Sequence, residues 1–259
     1  MSLDIGDILE GWPHEPGQVT ARRIMGNDGR EKIQLRVELG LLQMEATGRP
    51  DGQRPHGHES LLDYYNHLLQ RHKQDSGEEA GFELDEQACE LLRAESMMYY
   101  HRYLAEFILE DYEGVQRDTM RNLRLMDFCN AYAKEESDRY VLEQYRAYVM
   151  MMYTRARARS ALRNNRPKVA QAAVRKGLAD IKNFYRRFGQ EELMASSGEI
   201  AVLQAMAKEI ELRIPVDPIK KLRQKLSEAI REERYEEAAT LRDQLRRTPG
   251  DGPLGPSRS

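Results

Sequence analysis

Cysteine is nearly absent from the chain, occurring at Cys89 and Cys129 alone, and both are isolated, which excludes a disulfide framework and the paired thiolates of a zinc site. Buried small hydrophobes are the ordinary role of such residues. No apolar run approaches the ~20 residues that cross a bilayer. Asp4, Asp7 and Glu10 stand where a secretory signal needs a basic start and an apolar stretch, so a cytoplasmic protein is expected.

Catalytic constellations are lacking too. His56, His58 and Glu59 form the densest group of potential metal ligands, but spacing places no further ligand beside them, so no metal is expected. His101 sits among Tyr99, Tyr100 and Tyr103, where a packing role outweighs acid–base chemistry. Glu135 and Glu136 lie side by side on a solvated helix end, with nothing to raise their pKa. The expectation is a protein that is not an enzyme and needs no cofactor.

What the chain does have is helical periodicity. Leu61, Leu62, Tyr65, Leu68 and Leu69 share one face behind a capping Ser60. After Asp85 the stripes continue. Leu92, Tyr99, Tyr103 and Phe107 form one; Leu142, Tyr145, Val149, Met152 and Ala156 another; Leu193, Ile200, Leu203, Ala207 and Ile210 a further one. Breaks are expected near Tyr112–Gly114, Glu135–Asp138, Asn164–Pro167 and Gly189. The turns at Tyr112–Val115 and Arg166–Val169 each follow a long helix and open another, a rhythm shared by tetratricopeptide-like stacks and ordinary bundles.

The N-terminal part reads differently. Ile33, Leu35, Val37 and Leu39 alternate with Gln34, Arg36 and Glu38, which predicts a strand with one buried face. With Val19–Met25 and the turn residues Gly26–Gly29 before it, this predicts a small β-hairpin packed on the helices or extended by further strands. Gly48–Gly57 is a loop, and the polar stretch Asp75–Gly81 is the expected boundary of this module.

Net charge is only −3, yet it is unevenly spread. Acids dominate from Asp75 to Asp118, whereas from Arg155 to Arg187 many cations face Asp180 alone. Arg155, Arg159 and Arg163 line one helical face, and Lys182 and Arg186 the next, with Tyr185 between them. Such a surface suits nucleic acid. The competing reading pairs it with the acids of Glu106–Asp118 and puts Tyr185 into the core stripe of Val174, Leu178, Ile181 and Phe188.

Asp217 followed by Pro218 predicts a helix start, since Asp accepts from free backbone donors and proline at the first helical position loses none. Leu222, Leu226, Ala229 and Ile230 form its stripe, Glu233 and Arg234 the turn, and Tyr235, Ala238, Leu241 and Leu245 the returning stripe. So short a pair buries little by itself, which points to a partner.

The stretch Leu222–Leu245, LRQKLSEAIREERYEEAATLRDQL, resembles the UVR motif, the helical hairpin of UvrB and UvrC and of some bacterial chaperone ATPases and their adaptors. The family's spaced leucines match Leu222 and Leu226, and its small pair Ala229 and Ile230. Its aromatic-acid-x-Ala-Ala-x-Leu-Arg-Asp core matches Tyr235, Glu236, Ala238, Ala239, Leu241, Arg242 and Asp243. Tyr235 replaces the usual Phe, and Thr248 a frequent apolar residue. The nucleotide loop of UvrB, the nuclease signature of UvrC and the CxxC fingers of the adaptors are missing. The resemblance implies a noncatalytic module that pairs with a like hairpin, and a link to DNA repair or protein quality control.

The expected fold is mainly α, an antiparallel bundle or repeat-like stack with a small N-terminal β-hairpin and a UVR-type hairpin. Its parts are residues 1–74, a body at 85–212, the hairpin at 217–247 and a disordered tail at 248–259. The expected function is that of an adaptor binding another protein, or itself as a homodimer, through Leu222, Leu226, Ala229, Tyr235, Ala238, Ala239, Leu241, Arg242 and Asp243. The alternative is nucleic-acid binding through Arg155, Arg159, Arg163, Lys182 and Arg186.

Overall fold

The computed structural model describes residues 4–14, 16–214 and 218–247. It divides into two units, Met1–Ile210 and Glu211–Ser259. The expected tail at 248–259 and the capping side chain of Asp217 lie outside the described residues.

In the first unit, β1 (Thr20–Met25), β2 (Glu31–Val37) and β3 (Gly40–Glu45) form a three-stranded antiparallel sheet in chain order. The expected hairpin is thus a meander. Leu39 is not a strand residue; it sits with Glu38 in the two-residue turn between Val37 and Gly40 and is 88% exposed. Ile33, Leu35 and Met44 share one face and pack against Ala105 of α3 (Glu86–Ile108). The other face of β2 was expected to be wet and is buried. Gln34 accepts from Arg22 at 2.7 Å and donates to Gln43 at 2.9 Å, and the Arg22 guanidinium lies 4.2 Å over Trp12, whose segment with α1 (Gly6–Leu9) lies beside the strand.

The helical body consists of α2 (Leu61–Ser76), α3, α4 (Tyr112–Tyr132), the short α5 (Glu136–Tyr140), α6 (Arg146–Arg163), α7 (Pro167–Arg187) and α8 (Gly198–Arg213). Its caps follow local chemistry. Ser60, Asp85 and Asp111 accept the free N–H groups of Asp63, Ala88 and Gly114, and Gly77 ends α2 in the left-handed region. The break expected at Tyr112–Gly114 falls earlier because Asp111 is the cap. Each long helix packs on the next, α3 on α4, α4 on α6 and α6 on α7, the sequential order of a stack. The α6–α7 approach is close enough that a Cβ on Gly177 would meet Thr154 Oγ1 at 2.2 Å. Tyr145, expected in the seam, is half exposed, because α6 begins after it and a 3₁₀ turn carries it outward.

The polar stretch Asp75–Gly81 does not separate two units. Just beyond it Leu84 N–H donates to Tyr132 O and Lys134 N–H to Leu84 O, tying the start of α3 to the end of α4. Cys89 and Cys129 are both buried in this core, and burial pushes their thiols up to about 11 and about 12, respectively.

Buried charge joins sheet to helices. Arg102 makes two bonds to Asp118, at 2.6 and 2.9 Å, and its remaining nitrogen donates to the carbonyls of Glu45 and Gly48 at 3.0 and 2.7 Å. Glu95, fully buried, accepts from the amides of Leu61 and Leu62 at the start of α2 and from Arg121. A carboxylate there complements the helix dipole and satisfies two unpaired donors. Glu106 lies under the first turn of α4, where a Cβ on Gly114 would reach its carboxyl at 2.5 Å, and Arg117 donates to it at 2.6 Å.

Three helix–helix connections share one geometry. Leu109–Asp111, Asn164–Arg166 and Glu232–Arg234 each place the middle residue at positive φ, Glu110 at 58°, Asn165 at 54° and Glu233 at 57°. In each, the third residue's N–H bonds five residues back, to Glu106 O, Ala161 O and Ala229 O. The middle N–H bonds three back, to Phe107, Leu162 and Ile230. This is the Schellman end, which leaves few helix carbonyls without a donor. The rhythm visible in the sequence reflects this repeated turn.

Candidate protein-binding hairpin

The second unit contains α9 (Pro218–Arg231) and α10 (Tyr235–Arg247). Proline opens α9, where a missing N–H costs nothing. Glu236 and Glu237 lie in the first turn of α10, favourable to its dipole, and Arg234 pairs with Glu237 and, at 2.8 Å, with Glu232.

The small residues set the spacing of the pair. Ala229 and Ala238 are buried, Leu241 is buried beside them, and Leu222 and Leu226 pack on this seam. Alanine at both sides of a crossing lets the helices approach. Five of the nine residues nominated for a partner therefore hold α9 to α10: Ala229, Ala238 and Leu241 are buried in the seam, and Leu222 and Leu226 pack on it with one edge still exposed. The reason is geometric: one apolar stripe per helix serves the returning helix first.

The residues left facing solvent are Tyr235, Ala239, Arg242 and Asp243, with Arg242 and Asp243 in a loose 3.8 Å pair. Ile230 joins them. It follows Ala229 by one residue, a turn of about 100° that carries it off the seam. Ile230 is 55% and Tyr235 67% exposed, flanking the turn. The nominated list omitted Ile230; only knowledge of which face the seam uses separates it from Ala229.

These features, an alanine-lined crossing, a three-residue turn and an exposed aromatic opening the second helix, fit a known module. Residues 217–247 match the UVR family, the UvrB/uvrC motif. The UVR hairpin is the part of this chain that a family describes; neither the curated proteins nor the solved structures give a match. Among the described residues, no helix is long and apolar enough to cross a membrane.

The turn of the UVR hairpin carries a cost. Glu233 occupies a left-handed position at φ 57°, where a Cβ costs about 1 kcal/mol and glycine costs little. Glu233→Gly is expected to stabilise the hairpin by roughly 0.5–1 kcal/mol after the extra unfolded-state freedom is subtracted. Amide exchange across α9 and α10 should slow about two- to fivefold, whereas unchanged or faster exchange would show that Glu233 is unstrained.

The basic residues of the first unit are distributed differently from their sequence pattern. Arg155 lies 4.4 Å over the Phe107 ring and burial depresses its pKa, Arg159 pairs with Glu209 at 3.2 Å, and Arg163 donates to Glu110 O at 2.8 Å. Lys182 and Arg186 lie on α7, Arg186 bonded to Asn183 at 2.8 Å. Tyr185 is buried with its hydroxyl 3.4 Å from Ser197 Oγ, so it cannot stack on a base. The acids Glu106 and Asp118 pair with Arg102 and Arg117. Among the described residues, no ion pair joins these two carboxylates to the 155–187 segment, which meets the Glu106–Asp118 stretch through the Phe107 ring and the Glu110 carbonyl instead. His56 stacks on Tyr64 at 4.0 Å and His58 lies 5.1 Å from His67.

Proposed function

We propose that the chain is a noncatalytic, cytoplasmic adaptor whose UVR hairpin recruits another protein carrying a like hairpin, in the simplest case a second copy. The observation that carries this reading is the exposed pair Ile230 and Tyr235 on a hairpin whose own seam is already closed. Each such side chain contributes about 1.5–3 kcal/mol when fully buried, so two anchors with the exposed edges of Leu222 and Leu226 support micromolar association once its costs are subtracted. The UVR match at residues 217–247 supports a role beside DNA repair or protein quality control.

Nucleic-acid binding has less support, because Arg155, Arg159 and Arg163 are engaged within the fold and Tyr185 is core. Of the nominated set, Arg163 and Arg186 are exposed and Lys182 is half-buried. So few phosphate contacts give a shallow salt dependence and weak affinity.

Sedimentation of the full chain tests the proposal. The intact protein is expected to self-associate at micromolar concentration, and Ile230→Ser with Tyr235→Ser to weaken this at least tenfold while the circular dichroism spectrum stays the same. Self-association that survives both substitutions, or a chain that stays monomeric at 100-fold higher concentration and pulls down the same proteins when truncated before Asp217, would sink it.

A further inference from the structure

The first unit holds a cleft of about 630 Å³ between α3, α4, α6 and the turns around α5, a size suited to a small molecule. Tyr100, Tyr145, Tyr148 and Met97 are accessible along it, with Tyr103 and Met126 buried behind them. Tyr100 stands edge-to-face on the buried Tyr103 at 5.5 Å and lies 6.2 Å from Tyr148 at 56°, so the partly exposed Tyr100 and Tyr148 form two tilted walls. Tyr145 is half exposed at its edge.

Two charged side chains reach this cleft, and they are not equivalent. Arg93 is held in an ion pair with Asp138. Glu199 accepts a bond from the neutral Ser197 hydroxyl at 2.8 Å, and no cation among the described residues neutralises it. An aromatic ring presents a negative face, so tyrosines set at steep angles beside a carboxylate without a counter-ion attract a cation that is itself partly apolar. A hydrated metal ion finds too few oxygen ligands here. An anion meets Glu199 and ring faces of the same sign.

We propose that this cleft binds a small organic ammonium ion, its methylated nitrogen against the tyrosine faces and its charge balanced by Glu199. Such a site is independent of the UVR hairpin, and would make the first unit a ligand-sensing body.

The test uses choline and its neutral carbon analogue, 3,3-dimethyl-1-butanol, which has nearly the same shape without the charge. In nuclear magnetic resonance titrations of the full chain at constant ionic strength, choline is expected to bind roughly ten- to thirtyfold more tightly than the alcohol, the ratio that a desolvated cation–π contact supplies. Shifts should fall on residues of α3, α6 and the α5 turns. Glu199→Gln should weaken choline about tenfold and leave the alcohol unchanged, whereas Tyr145→Ala, which removes a ring from both ligands, should weaken choline more than the alcohol. Equal affinity for the two compounds would mean a merely apolar cleft and would overturn the proposal, as would the absence of choline-dependent shifts or full choline binding by both variants.

Discussion

Arg102→Met is expected to lower the stability of the first unit by roughly 3–5 kcal/mol, the cost of taking its bidentate partner from a buried charge. Arg102 is 1% exposed, and it connects Asp118 of α4 to the carbonyls of Glu45, the last residue of β3, and of Gly48 just beyond it. Its loss leaves the buried Asp118 carboxylate with the single 2.8 Å bond from Arg117 and strands two backbone acceptors. Methionine retains most of the aliphatic packing, so the loss reads the charge rather than the volume. The double variant Arg102→Met with Asp118→Leu should recover much of the deficit, because removing both charges also removes the desolvation penalty. Urea denaturation of the three proteins measures this, and a single variant within 1 kcal/mol of the parent would show that the pair is not buried as described.

Glu106 makes the stability of the same region depend on pH. Its burial pushes the carboxyl up to about 8 from 4.5, with the Asp118 charge adding to the rise and Arg117 and Arg102 opposing it. A carboxyl whose folded pKa lies above its unfolded one binds its proton more tightly when folded. The stability it contributes is full below about 4.5 and is lost as pH rises through about 8. Glu106→Gln has no such titration. The variant should therefore match or fall below the parent at pH 5 and exceed it at pH 9, with a change between the two on the order of 2–4 kcal/mol. Thermal melts at the two pH values suffice, and parallel profiles would contradict the assignment.

Local chemistry was legible in the sequence wherever neighbours in the chain decide the outcome. Ser60 as a cap, the breaks at Asn164–Pro167 and Gly189, and the stripes through Leu92, Tyr99, Tyr103, Ile200 and Leu203 are all matters of spacing and backbone preference. The missing parts were those decided by distant residues. The polar face of β2 is buried because Trp12 and Arg22 lie beside it, and β3 is a strand because Ile33 and Leu35 find Met44 and Leu42 opposite. Nothing within Gly40–Glu45 alternates strictly enough to say so. In the hairpin, periodicity showed which residues are apolar but not whether their neighbour is α10 or another molecule. For that reason Leu241 and Ala238 were nominated for a partner, and Ile230 was not. Arg102 gave no signal at all, since an arginine in a helix is ordinarily solvated and only Asp118, Glu45 and Gly48 together explain its burial.

The three-residue turns with a left-handed middle residue also bear on how the chain reaches this fold. Each closes a helix pair over a very short loop, so α3 with α4, α6 with α7 and α9 with α10 form from contacts close in sequence and lose little closure entropy. Within the first unit α6 rests on α4, so the pair α6–α7 adds to the pair α3–α4 as a layer does in a linear array. The sheet is the exception. Arg102 reaches Asp118 across 16 residues but Glu45 across 57, so the strands gain their anchor only once α3 and α4 have met and aligned the guanidinium. Until then β1 and β3 are open strand edges on a nascent chain, and the charges of Arg22 and Arg23 along β1 help keep one such edge from pairing with another molecule.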